Sequence, residues 1–311
     1  MIDILMATYN GETYLREQID SILRQSNTDW RLIIRDDCST DSTVRIIQEY
    51  QAQYPDKFIL IQADTPSGSA QNNFFQLIKY WQQHCDTHYI MFADQDDVWL
   101  PQKIQMTLDK MHELENQYNK DIPLLVHTDL SVVDAELNEI NPSMFAMQNM
   151  DAKRDKLNNI LVQNIVTGCT MMVNKTLLDM VTEIPQHAVM HDMWLALIAS
   201  AFGHIGFVEI ATILYRQHED NANGAKNVNS AQYVIQKLKK KEKIHQGLVK
   251  QYRQADEFLN IYNLLLTDSQ QNMLQAYAGL EQGNLLQKAA VLTKHRLYKK
   301  GIVRKAGQIL F

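Results

Sequence analysis

Three carboxylates stand within four residues at Asp94-Gln95-Asp96-Asp97. They follow Tyr89-Ile90-Met91-Phe92, an apolar run that reads as a short buried strand. Like charges this close repel unless something positive sits among them. A divalent cation with a bound phosphate group relieves that repulsion most simply. The competing reading is a solvated acidic turn before a helix opened by Pro101, whose missing N–H costs nothing in a first turn. Two more polar clusters follow apolar runs: Thr8-Tyr9-Asn10 after Ile2 to Met6, and Asp36-Asp37 after Trp30 to Ile34. Downstream stand His191-Asp192 and Arg216-Gln217-His218. Taken alone, Asp192 reads as a helix cap and His218 as a surface-loop histidine.

These residues need elements to hold them. Strand-like runs at 2–6, 30–34, 58–61 and 89–92 alternate with helical spacing. That spacing appears at Leu15, Ile19 and Ile22; at Val44, Ile47 and Tyr50; at Phe74, Leu77, Ile78 and Trp81; and at Ile104, Leu108 and Met111. Such alternation predicts an α/β fold, a parallel sheet with helices on its faces. Ligands of these sheets bind at the carboxyl ends of the strands, where all three polar clusters fall. The competing reading is that Asp, Asn and Ser simply populate turns.

The later half is less regular. Leu124 to Val126 reads as a strand, 134–160 as loop and then helix, and Ile165 to Val173 as a strand with Gly168 inside it. A helix starts at His191, and short strands are expected at Ile205 to Val208 and Thr212 to Tyr215. Residues 230–311 have helical patterns and many lysines.

The division is also electrostatic. Of 311 residues with net charge −6, residues 226–311 hold fifteen Lys/Arg against five Asp/Glu, or +10, and residues 1–225 hold −16. The expected organisation is a catalytic part at 1–225 and a basic helical part at 226–311. Cys38, Cys85 and Cys169 are scattered and odd in number, which suggests a reducing compartment and no zinc cluster. No signal peptide and no membrane-spanning run is expected, so a cytoplasmic location follows. No nucleic-acid partner is expected.

The ordered series Ala7-Thr8-Tyr9-Asn10, Asp36-Asp37-Cys38-Ser39-Thr40-Asp41, Asp94-Gln95-Asp96-Asp97, His191-Asp192 and Arg216-Gln217-His218 resembles glycosyltransferase family 2. The resemblance covers roughly residues 1–220 and implies a GT-A fold: a Rossmann-like, mostly parallel sheet flanked by helices, here with a C-terminal helical extension. Tyr9-Asn10-Gly11-Glu12, Asp94 to Trp99 and Tyr215 to His218 look like bacterial cell-wall polysaccharide rhamnosyltransferases, which typically use dTDP-rhamnose. Cys38 departs from the pattern, since many relatives have Gly or Asn there.

The resemblance implies roles by position. Ala7, Thr8, Tyr9 and Asp37 would bind the donor's nucleoside, with a carboxylate accepting the pyrimidine N–H and Tyr9 offering a face for stacking. Asp94 and Asp97 would lie in the donor site. Asp96, with His218 as a further ligand, would hold Mn²⁺ or Mg²⁺ on the donor diphosphate. Asp192 would be the general base that takes the acceptor's proton in an inverting transfer. The acceptor would be lipid-linked or an oligosaccharide. The basic C-terminal helices would lie on an anionic membrane, making the protein peripheral on the inner face of the plasma membrane. Their other reading is packing on the catalytic part or on a second copy in a homo-oligomer.

Other functions are weighed beside this one. A UDP-hexose-dependent transferase of the same fold uses the same motifs. A nucleotidyltransferase would want a Gly-rich, basic first loop, and residues 7–18 offer only Arg16. A non-catalytic sugar-nucleotide-binding protein would not need the intact acidic series.

Overall fold

The four apolar runs of the first hundred residues become β1 (Ile2–Thr8), β2 (Trp30–Asp36), β3 (Phe58–Gln62) and β4 (Tyr89–Ala93) in the computed structural model, which describes residues 1–218 and 241–310. All pair in parallel: Leu5 stands between Ile33 and Phe92, and Ile33 beside Ile59. Helices α1 (Leu15–Leu23), α2 (Thr43–Gln53) and α3 (Ala70–His84) make the crossovers. Helix α1 buries Leu15, Ile19 and Ile22, and α3 buries Phe74, Leu77, Ile78 and Trp81, as their spacing marked. On α2, Ile47 and Tyr50 are buried with Thr43 and Ile46, while Val44 is half-buried.

Asp3 interrupts the first apolar run and is fully buried. A buried charge persists only when paired and hydrogen-bonded. Arg31 donates to it from Nε at 2.9 Å and Nη2 at 3.0 Å, Trp81 Nε1 at 2.9 Å, and Thr87 Oγ1 at 2.8 Å. The network joins β1, β2 and the end of α3 at the amino ends of the strands, opposite the ends that carry the polar clusters.

Beyond β4 come β5 (Val98–Trp99), α4 (Lys103–Tyr118), β6 (Leu124–Val133) and β7 (Glu139–Asn141). Two short helices, α5 (Met144–Met147) and α6 (Leu157–Ile160), lead to β8 (Met172–Asn174), α7 (Lys175–Asp179), α8 (His191–Phe202) and β9 (His204–Arg216). The strands form one sheet of order β3-β2-β1-β4-β8-β6-β9-β5, with β7 on β6. It is parallel from β3 to β4 and mixed beyond, since β8 runs antiparallel to both β4 and β6.

Two stretches differ from the sequence reading. The strand expected over 165–173 shrinks to β8, because Thr170 N and Oγ1 both bond Thr167 O and close a 3₁₀ turn at Gly168–Thr170. The two strands expected near 205–215 run as one, β9, whose register against β6 shifts on either side of Asp129.

The described chain falls into two compact units. The first is Met1–Met144, Val166–Ile184 and His204–Ala225. The second is Phe145–Ile165, Pro185–Gly203 and Lys226–Phe311. Residues 145–165 and 185–203 group with the C-terminal helices. Those helices are α9 (Lys241–Tyr262), α10 (Asp268–Ala278), α11 (Leu285–Lys294) and α12 (Ile302–Leu310). Within this unit Trp194 meets Phe258 edge-on with centroids 5.4 Å apart, and Phe202 packs on Tyr262 at 5.6 Å. Gln254 Oε1 accepts from Val189 N at 2.7 Å, and the Glu257 carboxylate accepts from Gln186 N and His187 N. Lys237, Lys239 and Lys240, within the lysine-rich stretch, lie outside the described residues.

Candidate active site

At the carboxyl ends of β1, β2 and β4 three loops converge. Thr8 is the last residue of β1 and pairs with Asp36, the last of β2. Thr8 Oγ1 donates to Asp36 Oδ1 at 3.1 Å, and Ser39 N donates to Asp36 Oδ2 at 2.8 Å. Asp36 therefore ties its own loop shut. The loops after β1 and β2 are laced by further bonds: Asn10 N to Ser39 Oγ at 2.8 Å, Gly11 N to Thr43 Oγ1 at 2.8 Å, Glu12 N to Asp41 Oδ2 at 3.0 Å, and Ser42 N back to Glu12 Oε2 at 2.8 Å.

Backbone conformation accounts for one sequence feature. Asn10 and Cys38 adopt φ of 46° and 66°, in the left-handed region that Gly and Asn tolerate best. Here the Cys38 thiol donates to Ala63 O at 3.2 Å.

Asp37 is nearly buried, at 6% exposure. Its Oδ1 accepts from Arg35 Nη1 at 2.9 Å and Ser67 N at 2.8 Å, and its Oδ2 from Ser67 Oγ at 2.8 Å. A carboxylate has about four acceptor positions, so one remains on Oδ2. Arg35 is held in turn by Asn73 Oδ1 at 2.6 Å. Tyr9, the first residue past β1, is 56% exposed. Ala7, on β1 opposite Arg35, is half-buried at the same strand end.

The turn after β4 carries the acidic series. Asp96 Oδ2 and His218 Nε2 lie 2.7 Å apart. Their side chains are 16% and 14% exposed. The His218 ring also stands 5.0 Å from the Tyr14 ring. Arg216, the last residue of β9, fastens the turn: its Nε donates to Asp96 O at 2.9 Å and its N to Asp97 Oδ1 at 3.3 Å. Its guanidinium also reaches Ala135 O and Glu17 and lies 4.4 Å from the centre of the Tyr14 ring. The sequence reading named Arg216 only as part of a motif; its anchoring role needs the approach of β9 to the turn.

Asp97 points inward and is fully buried. Burial, then the charges of Asp96 and Asp94, pushes its carboxyl well above the usual carboxylate range. Burial likewise raises the Cys169 thiol and lowers the Lys103 ammonium, the latter to about 7. Lys103 Nζ donates to Thr170 O at 3.3 Å and lies 4.6 Å from the centre of the Trp99 ring.

Ligand atoms of Asp94, Asp97 and Cys169 all lie within 4.8 Å of one another, near enough to hold an ion. Their chemistry argues against Mg²⁺ or Mn²⁺ there. A soft thiol and a carboxyl that both favour the protonated form are poor ligands for a hard cation. Asp96 and His218 pair a carboxylate with an imidazole, both partly exposed, a donor set that fits a divalent cation better than the Asp94, Asp97 and Cys169 group.

The residues expected in the donor site from the first unit thus gather at one sheet end: Ala7, Thr8, Tyr9, Asp37, Asp94, Asp96 and His218, with Asp97 beneath. Asp192 belongs to the second unit, half-buried in the first turn of α8, where its Oδ1 accepts from Met193 N at 2.5 Å. Its neighbour His191 is buried and lowered by burial to about 3, so it stays neutral. Gln95, Ser67 and Arg35 were missed by sequence reasoning. Only Gln95 carried a signal, its place between two aspartates.

A mixed sheet flanked by helices, with carboxylates gathered at its parallel strand ends, defines a GT-A-like domain. The chain belongs to glycosyl transferase family 2, whose family model matches residues 3–175. It is 30% identical over 272 residues to the dTDP-rhamnosyl transferase RfbG of Shigella flexneri, covering 85% of this chain and 86% of that one. It is 24% identical to the putative teichuronic acid biosynthesis glycosyltransferase TuaG of Bacillus subtilis, over 67% of this chain and 76% of that one. In fold it is similar to S. aureus TarS 1–349 in complex with UDP-GlcNAc, at TM-score 0.56 and 17% identity, covering 95% of this chain and 85% of that one. It is also similar to the mannosyltransferase PcManGT of Pyrobaculum calidifontis in complex with GDP-Man and Mn²⁺, at TM-score 0.53 and 16% identity, covering 95% and 79%.

Proposed function

We propose that this glycosyltransferase is inverting and cation-dependent, and that it moves L-rhamnose from dTDP-β-L-rhamnose onto a lipid-linked or polysaccharide acceptor in cell-wall polysaccharide synthesis. One observation carries the donor reading: Asp96 stands 2.7 Å from His218 at the strand ends where Asp37 keeps one acceptor position and Tyr9 is exposed. Asp37 accepts the pyrimidine N–H, and Tyr9 stacks on the base. Asp96 and His218 would hold Mn²⁺ or Mg²⁺, which when bound offsets negative charge on the leaving diphosphate. Asp192 takes the proton of the attacking acceptor hydroxyl. The rhamnosyl choice draws support from the relative named for that donor. UDP-hexose is the second reading, since TarS was solved with UDP-GlcNAc.

The test is turnover with dTDP-rhamnose, UDP-glucose, UDP-galactose and UDP-N-acetylglucosamine, with Mn²⁺ and with excess chelator. We expect dTDP-rhamnose to be consumed, chelator to stop the reaction, and Asp96→Ala to behave like chelated wild type. Full activity in chelator, or in Asp96→Ala, would sink the cation role. Consumption of a UDP-sugar alone would sink the rhamnosyl assignment.

The same reading brings the enzyme to an anionic membrane through its C-terminal helices. Among the described residues no helix is long and apolar enough to cross a membrane. Helix α12, however, exposes Ile302 at 86%, Val303 at 39% and Leu310 at 60%. With Ala306 these fall within about 100° of one face at 3.6 residues per turn. On α11, Leu286 is 82% exposed. Residues 283–311 hold seven Lys/Arg and no Asp or Glu. An apolar face flanked by lysines suits the headgroup boundary of an anionic bilayer. Self-association through the same face is the competing outcome.

A further inference from the structure

Strands β1 and β4 pair as far as Met6 and Ala93 and then part into their loops. Past that point one side chain continues the pairing. Gln95 Oε1 accepts from Tyr9 N at 2.9 Å, and Gln95 Nε2 donates to Tyr9 O at 3.0 Å. A primary amide offers an acceptor and a donor side by side, so it stands in for one rung of a strand ladder. The approach is close. A methyl group on Gly11 would lie 2.4 Å from Gln95 Oε1 and 2.6 Å from its Cδ, nearer than any real contact. Gly11 does not adopt a left-handed φ, so its lack of a side chain serves this approach and no turn.

The two loops joined in this way carry different chemistry. One presents Tyr9. The other presents Asp96 with its imidazole neighbour His218. Asp96 is otherwise held by Arg216 at its backbone oxygen, and Tyr9 by the loop bonds running to residues 39–43. Gln95 bridges them.

We propose that Gln95 is a positioning residue that sets the Tyr9 loop against the carboxylate turn and so couples nucleoside binding to divalent-cation binding, with Gly11 as the space it needs. The proposal rests on the donor reading above. A donor is then gripped at base and diphosphate in one register, and occupation of either end orders the other. Coupling of this kind is reciprocal: the factor by which the cation tightens nucleotide equals the factor by which nucleotide tightens the cation.

The experiment is titration calorimetry of the full chain with dTDP, with and without Mn²⁺, alongside thermal unfolding, for wild type, Gln95→Ala, Gly11→Ala and the double variant. In wild type Mn²⁺ should tighten dTDP. In Gln95→Ala that factor should fall about tenfold while affinity without Mn²⁺ changes little, and the melting temperature should drop only by what two exposed hydrogen bonds contribute. Gly11→Ala should reproduce the loss, because its methyl displaces the amide. In the Gln95→Ala background it should add nothing, since its three nearest atoms are gone. The proposal is overturned if Gln95→Ala keeps the wild-type coupling, or if it weakens dTDP equally with and without Mn²⁺ while lowering the melting temperature, the mark of a purely structural residue. Failure of wild type itself to bind dTDP, or to respond to Mn²⁺, overturns the donor reading first, and is told apart because it precedes any substitution.

Discussion

Replacing Asp37 by Asn isolates the contact on which nucleoside recognition turns. The wild-type carboxylate spends Oδ1 on Arg35 and Ser67 N, and half of Oδ2 on Ser67 Oγ. In Asn the remaining oxygen can still face Arg35 and Ser67 N. The amide nitrogen then stands where Oδ2 was, and Ser67 Oγ can rotate to accept from it. What changes is the open position: an acceptor becomes a donor that faces the donor N–H of the base. A hydrogen bond to a charged acceptor contributes about 1.5–3 kcal/mol, so dTDP should bind about ten- to hundredfold more weakly. Arg35 and Asp37 have side chains 12% and 8% exposed, and losing the charge from a pair this enclosed costs stability. The retained oxygen and the Asn73 contact keep Arg35 bonded, so the loss should be only about 1–3 kcal/mol and the protein should stay folded at 25 °C. The assay is calorimetric titration with dTDP and with its N3-methyl analogue, which lacks the N–H. Wild type should reject the methylated base by about the same factor, and Asp37→Asn should bind both alike. Donor KM should rise more than kcat falls, because this contact lies far from the reacting carbon. Wild type binding the methylated nucleotide as tightly as dTDP would refute the reasoning, and so would a folded Asp37→Asn with undiminished dTDP affinity.

Two further expectations are open to direct measurement. Asp192→Asn should leave dTDP affinity nearly intact and slow sugar transfer about a hundredfold or more; if affinity falls as far as turnover, Asp192 is a structural or donor-binding residue. Ile302→Glu with Leu310→Glu should abolish sedimentation with anionic vesicles at low salt and leave donor hydrolysis in solution unchanged; unaltered pelleting, or loss of a dimer in its place, would rule out the bilayer as the occupant of that face.

What the chain alone determined follows from period and position. A run of apolar residues closed by Asp or Asn, followed by helical spacing, admits few arrangements, because a parallel strand must be covered on both faces and its crossover must be a helix. The α/β alternation, the four parallel strands and the gathering of Tyr9, Asp37 and Asp96 at one sheet end were legible for that reason. Cys38 and Asn10 were less so, since a left-handed φ shows in the coordinates and only as a turn tendency in the residues.

Tertiary structure decided everything that depends on loops distant in sequence. Gln95 meets Tyr9 across 86 positions, and Arg216 meets Asp96 across 120. No local pattern encodes such meetings, because each side chain's type is compatible with solvent as well. Asp97 looked like its two acidic neighbours, yet it is buried, and only the packing of Cys169, Lys103 and Arg216 around it makes it different. The C-terminal helices make the same point. Their periodicity announces an apolar face without saying what covers it. Trp194, from before the charge boundary, covers part of α9 through Phe258, whereas Ile302 and Leu310 on α12 are left exposed. A helix's period specifies which residues share a face, and only the folded chain specifies what that face touches.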